Sequence, residues 1–189
     1  MQENRWITLY SAQAEPVLKT LAHDGICYSK ADYVRRKYGE SAPIFLTAYG
    51  WFVREMEHFV ERPVKAEYPY WAFADELRAD LSGGGKRLRL VLPRKEAVFF
   101  DARDWVKILK LSYIGETAEE ERAFSEELSA CGLNTNRIML TSFYPEWRER
   151  IFNSWKRLFR YHEAIRAGQI PDGIAVQAGL WQIKKEWIS

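Results

Sequence analysis

The sequence predicts an α+β domain, a mixed or antiparallel sheet with about four to five helices, and three observations carry that reading. Short runs rich in β-branched and aromatic residues recur, among them WITLY at 6–10, RLRLVL at 87–92 and AVFF at 97–100. Two longer stretches, 45–60 and 147–165, repeat apolar residues at helical spacing. Hydrophobic residues make up 47% of the chain and charged residues 29%, the balance of a polypeptide that buries a core without help from metals or disulfides. At 189 residues, one compact domain over 1–189 is expected.

The elements follow in order. Residues 6–10 form the first strand, and Pro16 then opens a helix with Val17, Leu18 and Leu21 on one face. Gly25 suits its C-terminal end, with His23 in the last turn, and 26–28 run as a second strand. Residues 30–37 are polar and expected to be half exposed. Ser41, Ala42 and Pro43 start the main core helix, which turns Phe45, Leu46, Tyr49, Phe52, Val53, Met56 and Val60 inward until Arg62-Pro63 stops it. Residues 68–73 follow as an extended aromatic segment in which Pro69 favours an edge strand, so that it would wall a pocket.

The run of glycines at 83–85 is the clearest turn, and the strand at 87–92 ends at Pro93, ahead of the strand 97–100. Asp101 can cap a helix carrying Trp105, Ile108 and Leu109; Thr117 and Glu120 make a capping box for another, which Gly132 can end. Residues 133–144 read as a loop. Pro145 opens the longest helical pattern, with Trp147, Ile151, Trp155, Leu158, Phe159 and Ile165 inward, broken by Gly168 and Pro171. The tail, 174–188, alternates as one terminal strand or as two strands joined at a bulge near Gly179.

Several chemistries lack support. With 28 Lys plus Arg against 26 Asp plus Glu, the net charge of +2 implies neither a nucleic-acid nor a membrane partner. The basic face of the helix after Pro145 also carries Glu146, Glu149 and Glu163, the mixture of a solvated surface. Cys27 and Cys131 are isolated, which fits a reducing compartment, and the first residues lead straight into a strand without a signal-like apolar stretch. A cytoplasmic location is therefore expected. His23, His58 and His162 lie in separate helices without metal-ligand spacing. The glycine run with Lys86 is followed by Arg87 and a strand, unlike a phosphate loop, and no GxSxG elbow occurs.

The candidate ligand-binding residues each have a bland alternative. Ser11 and Gln13 follow the first strand, where pocket groups sit, or simply make a turn before the helix. Tyr70 and Trp71 could stack on a flat ligand or pack in the core. Asp101 is a pocket carboxylate or a helix cap. Gln177 stands in an apolar alternating stretch, so its amide is a structural network group or orients a ligand.

Leu9-Tyr10-Ser11-Ala12-Gln13, Tyr49-Gly50-Trp51, Tyr68-Pro69-Tyr70-Trp71-Ala72, Leu90-Val91-Leu92-Pro93, Phe100-Asp101 with Trp105, and Val176-Gln177-Ala178 with Trp181 together resemble an uncharacterised bacterial domain-of-unknown-function family. A second resemblance is at the level of fold. The opening strand ending in Leu9-Tyr10-Ser11 before a helix, with Gln177-Ala178 in a last strand, is similar to the ADP-ribosyltransferase superfamily. It implies an NAD cleft between the first and last strands, with Tyr10 and Ser11 receiving the dinucleotide and Gln177 and Ala178 beside the position of the catalytic glutamate. This chain has Gly179 where the carboxylate is expected, which leaves that role empty unless another acid such as Glu186 fills it. The functions expected are thus NAD-like nucleotide binding, with or without transferase activity, and, from a different class, a non-catalytic interaction or inhibitor protein with an aromatic-rich binding face.

Overall fold

The computed structural model describes residues 5–30, 42–82 and 84–189. The segment 31–37 of the polar stretch, the Ser41 helix start and the first glycine of the turn lie outside the described residues. Seven strands are seen among them: β1 (Trp6–Gln13), β2 (Ile26–Tyr28), β3 (Tyr70–Phe73), β4 (Lys86–Pro93), β5 (Ala97–Asp101), β6 (Val176–Leu180) and β7 (Gln182–Lys184). The α-helices are α1 (Glu15–Asp24), α2 (Ala42–Met56), α3 (Ala102–Leu109), α4 (Ala118–Ala130), α5 (Thr135–Met139), α6 (Pro145–Trp155) and α7 (His162–Arg166). The α+β class stands.

Five strands form one sheet in the order β4-β1-β3-β6-β5, every pair antiparallel, and β2 pairs with β7 in a small second ladder. The two edge strands of the large sheet, β4 and β5, are joined by the single 3-10 turn Arg94–Glu96. Four interstrand steps of a flat sheet would hold those edges about 19 Å apart. The four Cα steps from Pro93 to Ala97 reach at most about 14 Å. The sheet therefore rolls, bringing its edges towards each other.

Strand alternation gives the rolled sheet two packed faces. Ile7, Leu9, Leu88, Leu90, Leu92, Ala72, Phe99, Ala178 and Leu180 fill one side, where Val17 and Leu21 of α1 join them. On the other side Val98 and Phe100 meet Phe52 and Met56 of α2 and Trp105 of α3. The predicted caps form: Gly25 takes a left-handed conformation (φ 75°) and donates its N–H to Leu21 O, Asp101 accepts from Arg103 N, and Thr117 accepts from Glu120 N.

Six expectations are corrected. The aromatic segment is a central strand, not an edge: Pro69 precedes β3, so its missing N–H costs no ladder bond. The first strand and the Gln177 strand are not neighbours, because β3 lies between β1 and β6. The tail breaks at Trp181 instead of Gly179, since that buried indole donates to Val60 O at 2.9 Å and β7 leaves to pair with β2. The core helix ends at Met56, and the N–H groups of Phe59 and Val60 both turn back to Met56 O. Residues 133–144 include α5, whose N-cap is Asn134, and the longest helical pattern is interrupted by a 3-10 turn, Lys156–Phe159, between α6 and α7.

Candidate functional site

The strand period of two distributes the predicted site residues over both faces of the sheet. Ser11 and Gln13 share the side of Ile7 and Leu9 and are buried. The Ser11 hydroxyl donates to Trp71 O at 2.6 Å and accepts from Gln13 Nε2 at 2.7 Å. This polar chain clasps β1 to β3. Tyr70 faces the same side, with its hydroxyl donating to Cys27 Sγ at 3.0 Å.

Tyr10, Trp71 and Gln177 belong to the opposite side. Tyr10 pairs with Phe73, which in turn pairs with Gln177, and Tyr10 is half-buried. Trp71 sits among the rings of Tyr49, Phe52, Phe100 and Trp105 and donates Nε1–H to Tyr49 OH at 3.2 Å. Gln177 is 4% exposed. Ser11 therefore cannot share one hollow with Trp71 and Gln177.

Asp101 is committed to structure. It caps α3, receives the Arg103 guanidinium on both carboxylate oxygens and is 4% exposed. Burial works against its charge, but the hydrogen bonds and the positive charge of Arg103 outweigh it and hold the pKa below the ordinary carboxylate value. Glu186 is exposed in the 3-10 turn after β7.

A site that sequence reading missed lies at the far end of β1. There a hollow of about 520 Å³ is lined by Arg5, Trp6, Pro93, Arg94, Lys95 and Arg166. The roll of the sheet positions it: Trp6 pairs with Pro93, the β4–β5 link supplies Arg94 and Lys95, and α7 ends in Arg166. Four cationic side chains line it with no carboxylate among the lining residues.

Arg94 is the most constrained of the four. Its Nη1 donates to Ile165 O at 2.8 Å, while its buried Nε has no acceptor and no described carboxylate pairs with it. Burial alone lowers its pKa. Arg166 has one partner, Glu163, at 3.5 Å across the surface. Trp6 is 51% exposed, so one face of its indole is open to the hollow's mouth or to solvent. Arg94-Lys95 after a strand was a visible signal, but Arg5 and Arg166 join it only through the fold.

A second hollow, about 410 Å³, opens at the ends of β3 and β6, with Asp75, Arg78 and Arg103 among its lining. Its charges are balanced, because Arg103 is held by Asp101 and Gly173 O. Among the described residues no group of three or more His, Cys, Asp or Glu side chains could hold a metal ion, and no helix is long and apolar enough to cross a membrane.

The model of a family described as "Domain of unknown function (DUF3841)" matches residues 8–189. No curated protein and no solved structure matches.

Proposed function

The chain belongs to the DUF3841 family of unknown function, and we propose that it binds a nucleotide of the NAD class in the cationic hollow at the start of β1. The observation that carries the reading is Arg94, a partly buried guanidinium with no carboxylate partner and an Nε that meets no acceptor. A buried cation without a counter-charge is costly, and an oxyanion placed against it removes that cost. Arg5, Lys95 and Arg166 supply further positive charge for a diphosphate, and the half-exposed Trp6 offers a flat face to a base or nicotinamide ring. A cytoplasmic location belongs to the same proposal, in keeping with the free thiols of Cys27 and Cys131.

Thermal unfolding with millimolar NAD tests it, with nicotinamide riboside, which lacks the diphosphate, as the control. NAD raises the melting temperature by mass action and the riboside does not; the Lys95→Glu, Arg166→Glu double variant loses the shift while folding normally. Equal shifts for both compounds, or none for NAD, would remove the reading.

A second reading, a protein-interaction role, has its own observation. Phe143 is 78% and Leu140 44% exposed on the segment between α5 and α6, at a hollow of about 500 Å³ that they line with Met139 and Arg148. Its test is whether Phe143→Ser abolishes an interaction while leaving the NAD shift unchanged.

A further inference from the structure

The last helix places a proton-binding group and an anion-binding group within 3.7 Å of one carboxylate oxygen. His162 opens α7 and is 1% exposed. Its ring lies against Phe59 and Phe99, and Nδ1 accepts the backbone N–H of Phe99 on β5 at 3.0 Å. That bond fixes the neutral tautomer with the hydrogen on Nε2. The Nε2 atom is buried and has no hydrogen-bond partner; Glu163 Oε1 stands 3.7 Å away, too far for a bond. The same Oε1 lies 3.5 Å from Nη1 of Arg166, which lines the cationic hollow.

Glu163, whose side chain is 75% exposed, thus stands near two donors and satisfies neither closely. An orphaned buried donor is costly, and a movement of well under 1 Å would bring the carboxylate into range. Arg166 competes for the same oxygen for as long as no other anion occupies it.

We propose that a phosphate bound in the hollow takes Arg166 away from Glu163, that Glu163 then closes on His162, and that ligand and proton therefore bind cooperatively. This rests on the anion-site reading of the hollow. The charged groups facing His162 among the described residues are Glu163 and Arg166, both on α7, since β5 and the turn after α2 present aromatic rings to it. Glu163 favours the imidazolium and Arg166 opposes it. Neutralising Arg166 with an anion removes the opposing charge, and freeing Glu163 strengthens the favouring one. Both changes have the same sign. Protonation also sacrifices the Phe99 N–H bond, but it does so with or without ligand, so that cost cancels from the coupling. Because coupling is reciprocal, a ligand that promotes protonation binds more tightly in acid.

NAD is a suitable probe because its bridging diphosphate does not titrate between pH 5.5 and 7.5. Calorimetric titration at pH 6 in two buffers of different ionisation enthalpy is expected to report net proton uptake on binding. The affinity at pH 5.5 is expected to exceed that at pH 7.5 by about two- to fivefold, below the tenfold that a full unit of pKa change would give. His162→Gln, which can still accept from Phe99 N–H, should bind NAD with no pH dependence. Glu163→Gln lies on the surface and tests the same step without disturbing the core; it should bind slightly more tightly at pH 7.5, because Arg166 is released, and take up a smaller fraction of a proton than the wild type, since only the neutralisation of Arg166 then acts on His162. NAD binding without proton uptake, or with uptake undiminished in Glu163→Gln, overturns the coupling and leaves the site standing. No NAD binding at either pH overturns both.

Discussion

The edge of the Phe52 ring lies against the backbone of Gly179. A Cβ built on Gly179 would stand 2.9 Å from Phe52 Cε1 and 3.0 Å from Cζ, with Met56 Sδ at 3.3 Å. The ring has little freedom to retreat, because Trp71, Phe100 and Trp105 pack edge-on against it with centroids 5.0–5.3 Å away. The position at which a transferase-like carboxylate was expected is therefore the seat of a core aromatic ring.

Gly179→Ala is expected to destabilise the protein by about 1–3 kcal/mol through overpacking, read as a lower urea midpoint with an unchanged slope. Gly179→Glu should not fold. A glutamate accommodated at native stability would show that the ring can move and reopen the question of a carboxylate in β6.

Ser11 carries a hydrogen bond in each direction inside the rolled sheet. Ser11→Ala leaves Trp71 O and the Gln13 amide without these partners, and a loss of about 1–3 kcal/mol is expected. If the serine instead served a ligand, the variant would keep its stability and lose the NAD shift, so chemical denaturation and thermal shift on one sample separate the two roles.

His162 makes stability depend on pH. Burial holds its pKa in the folded protein below the ordinary 6.5, with Glu163 opposing and Arg166 reinforcing the shift. On acidification the unfolded chain takes up this proton first, so stability falls as pH drops below about 6.5 and levels off once pH passes the folded pKa. Urea midpoints at pH 7.5, 6.5 and 5.5 should show the decline, and His162→Gln should flatten it. A wild-type midpoint that is constant over this range would mean that folding does not shift the His162 pKa.

Trp6 and the cations of the hollow predict a charge-dominated ligand contact with an aromatic contribution. Raising salt from 0.05 to 0.5 M is expected to reduce the NAD-induced shift, since exposed charges are screened. Trp6→Ala should weaken binding several-fold at constant salt, in line with about 1 kcal/mol for a stacked aromatic contact. Insensitivity to both changes would mean that NAD binds elsewhere.

Much of the local structure could be read from neighbouring residues. Pro16 and Gly25 bracket α1, Asp101 and Thr117 cap their helices, and the alternation at 87–92 makes β4. These signals depend on residues within one or two turns of each other. The reading failed where a distant partner decided the outcome. Trp181 ends β6 because Val60 O, more than a hundred residues earlier, accepts its indole N–H. The aromatic segment is central because β1 and β6 flank it on either side. Tyr70 and Trp71, adjacent in the chain, point into different cores, a consequence of strand alternation that becomes informative only once the faces are known.

The sequence by itself determined the α+β class, the helix caps and the alternation of buried residues, since propensity, capping and periodicity are local properties of the chain. Strand order, the roll of the sheet and the gathering of Arg5, Arg94, Lys95 and Arg166 around Trp6 were decided by the tertiary structure alone. Each depends on contacts between segments far apart in sequence, whose pairing is set by which faces can be buried together and leaves no periodic mark on either partner.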